Sequence, residues 1–147
     1  MLRRILIPTD GSDEALLAAE YAASLAAKYG AEVTMLSVVE LPPVAGPADQ
    51  PQRLALRDEL TKNAQETLDR TRGIFDRAGV KPDEDIVYGS AVSWIIRYAR
   101  DSDYDLIVMG SRGVGVSAVN RVLLGSTAEG VMHEAPCPVL LVRPKAR

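Results

Sequence analysis

Cysteine and histidine are almost missing from this chain of 147 residues, which holds one of each, Cys137 and His133. Two such residues build neither a disulfide framework nor a three- or four-ligand zinc site, so stapled scaffolds and metal-cage enzymes are excluded. A basic excess is missing as well. Lys and Arg number 17 against 20 Asp and Glu, a formal charge of −3 with a pI of about 5.2, and the basic residues are dispersed. That argues against a nucleic-acid partner, because non-specific binding needs a basic footprint on the phosphates. No apolar run approaches the roughly 18 residues of a membrane span. The opening Met1-Leu2-Arg3-Arg4 leads straight into a strand-like run with no cleavable apolar segment, so the expected location is cytoplasmic. What is present in quantity is apolar residue, at 47%. A chain of this size buries about 68–70% of its unfolded surface, and one domain over residues 1–147 is expected.

Four short apolar runs, rich in β-branched residues or Leu and bounded by turn formers, read as strands over residues 5–8, 33–39, 106–109 and 139–142, with a weaker fifth at 85–88. None alternates cleanly between apolar and polar, the mark of parallel strands covered on both faces. Helical periodicity lies between them. The first helix is capped by Ser12, carries Asp13 and Glu14 against its positive end and stops at Gly30; Leu17, Tyr21 and Leu25 make its apolar stripe, among alanines that permit close packing. A second, solvated amphipathic helix spans 54–78 with Leu60, Ala64, Leu68, Phe75 and Ala78 on one face. A third holds Val92, Ile95, Ile96 and Ala99, and a fourth spans 126–134. The alternation predicts an α/β fold of three layers, an open parallel five-stranded sheet between helices, Rossmann-like in form. The proline-rich stretch 41–51 reads as a long loop.

Several motifs fail on context. Cys137 to Arg143 has the C-x5-R spacing of a phosphatase loop, but the five residues between form a strand, whose alternating amides do not converge on one anion. Gly110 to Ser117 matches a P-loop except that Val116 stands where the phosphate-binding Lys belongs. Gly113 to Ala118 fits G-x-G-x-x-A, yet follows the penultimate strand rather than the first. A receiver domain needs a phospho-accepting Asp after the third strand, where Tyr88-Gly89 stands. With one His, at a helix end, Ser nucleophiles have no base.

The surviving constellation lies at strand ends. In a doubly wound sheet, ligands bind outside the carboxyl ends of the strands where the strand order reverses. The first strand ends Pro8-Thr9-Asp10, the second passes Val38, and the fourth ends Met109-Gly110-Ser111-Arg112. Gly110, Gly113 and Gly115 let backbone approach a ligand, Arg112 offsets phosphate charge, and Gly125-Ser126-Thr127 opens a helix whose free amides form an anion site. Asp10 suits ribose hydroxyls, adenine amino hydrogens or a bridging divalent cation.

The segments RRILIPTDGSDEA, MLSVVE, DLIVMGSRG and LLGSTAEGVMHEAPCPVLLV resemble the universal stress proteins over essentially the whole chain. The ATP-binding branch of that family carries G-x2-G-x9-G-[ST]. Here Gly110-x2-Gly113 and Gly125-Ser126 are present with eleven residues, 114–124, between them; counted from Gly115 the gap is nine. The resemblance implies a strand order 3-2-1-4-5 and ATP, with Mg or Mn, as the cofactor. It puts Pro8, Thr9 and Asp10 along the adenosine, Val38 and Met109 beside the adenine, and Gly110, Gly113, Gly125, Ser126 and Thr127 on ribose and phosphates. It also implies a homodimer through the last strand, which as an apolar edge otherwise invites aggregation. A dimeric, ATP-binding stress-response module is the first expectation; a member that binds partner proteins without nucleotide, and a slow ATPase, are the rivals.

Overall fold

A computed structural model describes residues 1–43, 47, 50–112 and 124–145. Among these, strands and helices alternate throughout: β1 (Arg4–Pro8), α1 (Asp13–Tyr29), β2 (Glu32–Val39), α2 (Pro51–Arg77), β3 (Asp83–Tyr88), α3 (Ala91–Asp101), β4 (Leu106–Gly110), α4 (Ser126–Glu134) and β5 (Val139–Val142). The five strands form one sheet in the order β3-β2-β1-β4-β5, every pair parallel. This is the expected three-layer α/β architecture. The chain winds outward from β1 in one direction through β2 and β3, then restarts beside β1 with β4. The reversal therefore falls between the carboxyl ends of β1 and β4, where helices leave toward opposite faces.

Both faces of the sheet are covered. Ile5, Ile7, Val33, Met35 and Val108 pack with the α1 alanines and with Leu68 and Phe75 of α2. On the other face Leu6, Leu36, Ile107 and Met109 pack with Ile95 and Ala99 of α3 and Ala128 and Val131 of α4. Strand side chains alternate direction, so a strand covered on both sides must be apolar at every position. The amino end of the sheet is tied by Asp105, whose carboxylate accepts from the backbone N–H groups of Arg3 and Arg4. Those two donors hold its carboxyl below the usual carboxylate range.

Four sequence expectations need correction. In α1 the buried face is Ala15, Ala18, Ala19, Ala22, Ala23 and Ala26, while Tyr21 is 46% exposed and Leu17 and Leu25 are only partly buried. The helix lies too close to the sheet for large side chains, and the Leu/Tyr stripe falls along its flank. In α2 the buried set is Ala64, Thr67, Leu68, Thr71 and Phe75; Ala78 is exposed, and two threonines were passed over. The Thr71 hydroxyl is satisfied by the Thr67 carbonyl at 2.8 Å, which lets it sit in a core. The same helix starts at Pro51 rather than at 54, since proline at the first helical position lacks only an N–H that would go unused. Strand β3 begins at Asp83, two residues early, because an edge strand tolerates the acidic run Asp83-Glu84-Asp85. The expected loop at 41–51 lies partly outside the described residues.

The alanine face sets a clear contrast. Ala22→Leu should overpack the α1–sheet contact and cost about 1–3 kcal/mol, whereas Tyr21→Ala should stay within about 0.5 kcal/mol of wild type. Urea denaturation of both variants checks it, and equal losses would show that the face has been misassigned.

Candidate functional site

At the β1/β4 reversal the structure opens a cleft of about 350 Å³. Pro8, Thr9 and Asp10 reach it from the end of β1, Leu36 and Val38 from β2, and Met109, Gly110, Ser111 and Arg112 from the end of β4. Gly125, Ser126, Thr127 and Ala128 enter from the start of α4, with Ala15 of α1 and Ala91 and Ile95 of α3 completing the wall. The sequence-chosen residues Pro8, Thr9, Asp10, Val38, Met109, Gly110, Arg112, Gly125, Ser126 and Thr127 are thus brought together. Gly113 and Gly115, with the rest of the glycine loop up to residue 123, lie outside the described residues.

Local chemistry explains each position. Asp10 Oδ1 accepts from the Ser12 N–H at 3.0 Å, closing the turn from β1 into α1, while Ser12 itself caps α1 by accepting from Ala15 N. Gly110 is required by proximity. A Cβ there would stand 3.0 Å from the Glu14 Cβ and 3.1 Å from the Ala15 N, so the end of β4 and the first turn of α1 touch backbone to backbone. The α4 helix opens at Gly125, which has no side chain to cap it, and its first residues Ser126, Thr127 and Ala128 line the cleft.

Arg112 departs from expectation. It lines the cleft, but its charge is already engaged: Nε donates to Glu14 Oε2 at 2.5 Å, and both side chains are nearly buried, at 12% and 9% exposure. Ser111 Oγ donates to the other Glu14 oxygen at 2.6 Å. Arg112 is therefore half of an ion pair instead of a bare counter-charge. Glu14 had been read only as a complement to the helix dipole. No local pattern links two residues this far apart in sequence, and only the β1/β4 adjacency brings them into contact. Leu36, Ala91, Ile95, Ser111 and Ala128 were also missed, being ordinary apolar or small residues whose place depends on packing.

The phosphatase-loop and catalytic-histidine readings stay discarded, while the glycine motifs at 110–117 and 113–118 lie largely outside the described residues. Residues 139–142 are strand β5, burial pushes the Cys137 thiol pKa up with Asp105 adding to it, and His133 is exposed in the last turn of α4. Among the described residues no cluster of three His, Cys, Asp or Glu forms a metal cage, and no helix is long and apolar enough to cross a membrane.

The model of the universal stress protein family matches residues 1–143. The chain belongs to that family. A universal stress protein of Methanocaldococcus jannaschii is 38% identical over 144 residues, covering 97% of this chain and 83% of the relative. Among solved structures, the universal stress protein UspA from Lactobacillus plantarum superposes with a TM-score of 0.85 at 30% identity, covering 97% of this chain and 98% of the other. A universal stress protein solved in complex with cAMP superposes with a TM-score of 0.73 at 28% identity, covering 97% and 98%.

As a universal stress protein built on the Gly110 contact, the chain should respond sharply there. Gly110→Val should push the first turn of α1 off β4 and cost about 1–3 kcal/mol. Thermal or urea unfolding reads this, and a variant of unchanged stability would deny the contact.

Proposed function

We propose that this universal stress protein binds an adenine nucleotide in the β1/β4 cleft and acts as a nucleotide-dependent stress-response module. The observation that carries the reading is the meeting, in one cleft, of an acidic turn at Asp10, an apolar wall of Leu36, Val38 and Met109, and the uncapped start of α4 with its Ser126 and Thr127 hydroxyls. Each part matches one part of a nucleotide. The apolar wall takes the base, the Asp10 carboxylate accepts from ribose hydroxyls, and helix-end amides with hydroxyls take phosphate. The likeness to a relative solved with cAMP supports an adenine base. ATP is the ligand that the family motif at Gly110, Gly113, Gly125 and Ser126 favours, with Mg or Mn carried on its phosphates and Asp10 within the same cleft. Pro8 and Thr9 line the adenosine in this reading, and Gly113 and Gly115 complete the phosphate loop.

Val38→Trp places bulk on the wall, at a residue only partly buried against the core, and should weaken ATP binding at least about tenfold, roughly 1.4 kcal/mol. Isothermal titration calorimetry of wild type and variant with ATP and Mg²⁺ is the measurement. Identical affinities would remove the base from this wall, and an adenine nucleotide carried through purification of the wild type supports the reading directly.

The same reading makes the protein a homodimer through β5. This strand ends the sheet, and Leu140 is 36% exposed on it with Val139 and Leu141 half-buried. An edge with this composition is stabilised by pairing with a second copy. Leu140→Lys should shift the protein from dimer to monomer in light scattering after size exclusion; a monomeric wild type would dismiss the interface.

A further inference from the structure

We propose a second binding site, distinct from the β1/β4 cleft: a cavity between the end of β2 and α2 that takes a small neutral polyhydroxyl molecule of the sugar or polyol class. It does not depend on the nucleotide reading.

The cavity holds about 260 Å³. That is slightly under the roughly 300 Å³ at which pockets for drug-sized ligands begin, so a small molecule is the fitting occupant. Leu60, Asn63, Ala64 and Thr67 line it from α2, at the three- and four-residue spacing of a single helix stripe. Ser37 and Val39 line it from β2. They share the alternation of Val33 and Met35, whose side chains pack toward α1 and α2, so the strand and the helix stripe face one another across the space.

Two buried hydroxyls mark this space as a site. Ser37 and Thr67 are only 5% and 7% exposed, and neither hydroxyl has a hydrogen-bond partner among the described residues. Thr34, the other hydroxyl of β2, is satisfied by Tyr104 at 2.7 Å. Neither Ser37 nor Thr67 is sealed in. Among the described residues, Arg112 Nη1 is the one wholly enclosed side-chain nitrogen or oxygen without a partner, so the little surface that Ser37 and Thr67 keep includes their oxygens and opens on the cavity that both line. Thr67 Oγ1 lies 2.9 Å from where a Gly11 Cβ would stand, beside Asp10 in the same wall. Hydroxyls this deep call for a partner.

The charged groups favour a neutral one. Glu40, just past β2, lines the cavity while its Oε1 accepts from the Ala91 N–H at the start of α3 at 2.5 Å. Asp10 Oδ1 accepts from the Ser12 N–H at the start of α1. Both carboxylates thus sit at the positive ends of helices, which offset their charge. Arg70 Nη2, 2.8 Å from the same Gly11 position, adds a cation beside Thr67. An ammonium group would meet that cation and two compensated acids. Ligand hydroxyls, which both donate and accept, match the second Glu40 oxygen, the Asn63 amide and the two buried hydroxyls. The C–H face of a small ring packs on Leu60 and Ala64.

Titration of isotope-labelled protein with D-ribose, D-glucose, myo-inositol and glycerol, followed by amide NMR, tests this, with ethanolamine and acetate as charged comparisons. At least one polyol should shift the Ser37, Asn63 and Thr67 resonances saturably, with an affinity that NaCl leaves unchanged. Ser37→Ala and Thr67→Val each remove a hydroxyl with little change of shape, and Asn63→Ala alters an exposed position. Each should weaken the polyol about fivefold, the loss of one hydrogen bond. No shift at these residues with any of the four polyols, or an affinity unchanged in all three variants, overturns the proposal. Saturable binding of ethanolamine or acetate in place of the polyols overturns it too, since the site would then read charge.

Discussion

Ser111 is the residue through which the parts of the cleft are connected, and it is wholly buried. Its N–H donates to the Val142 carbonyl of β5 at 3.2 Å, its carbonyl accepts from Gly125 N at the start of α4 at 2.7 Å, and its hydroxyl donates to Glu14 of α1. The side chain and backbone of one small residue thereby hold three elements, β5, α4 and α1, around the end of β4. An apolar residue in its place would leave a buried Glu14 carboxylate oxygen without its donor. The first turn of α1 can press against β4 only because Gly110 has no Cβ and Glu14 finds partners there. Separation of β1 from β4 would carry α1 away and break the contacts of Glu14 with Ser111 and Arg112.

The cleft that results is built mostly from backbone and small side chains. Among its described residues only Asp10 and Arg112 carry charge, and Arg112 is paired. Such a site recognises a ligand by amides, hydroxyls and shape. A buried ion pair of this kind adds little net stability, because desolvation offsets most of its Coulomb attraction, whereas removing one partner leaves a stranded charge at a cost of about 3–5 kcal/mol. Its physical effect is therefore to fix geometry: the guanidinium stays where the sheet and helix put it.

Much of the architecture was legible in the residues. Runs apolar on both alternations, as in Ile5-Leu6-Ile7, can only be strands covered on two faces, and Ser12 and Gly30 delimit α1 because capping chemistry is local. Local rules misjudged packing distance. The alanines of α1, read as permitting close packing, are the contact surface, whereas the Leu17, Tyr21 and Leu25 stripe is not, and Thr67 and Thr71 are polar by composition but buried, with a helix carbonyl satisfying Thr71. Asp83 and Glu84 have poor strand propensity, and only their position at the edge of the sheet makes them strand residues. The ends of the site, from Pro8 to Asp10 and from Met109 to Thr127, were visible as turn residues following strands. The wall residues Leu36, Ala91 and Ile95 were not, since nothing distinguishes a cleft-lining leucine from a core leucine along the chain.

The sequence by itself determined the alternation of strand and helix, the parallel sheet, the capping of α1, and the family to which the chain belongs. Periodicity, propensity and capping act over a few residues, and the family's motifs are short strings, so each is written locally. The tertiary structure alone decided which strand ends face one another and what Arg112 does. Whether that guanidinium is a free cation or half of a neutral pair depends on a carboxylate 98 positions earlier in the chain. Electrostatic interaction falls with distance through space and takes no account of separation along the chain.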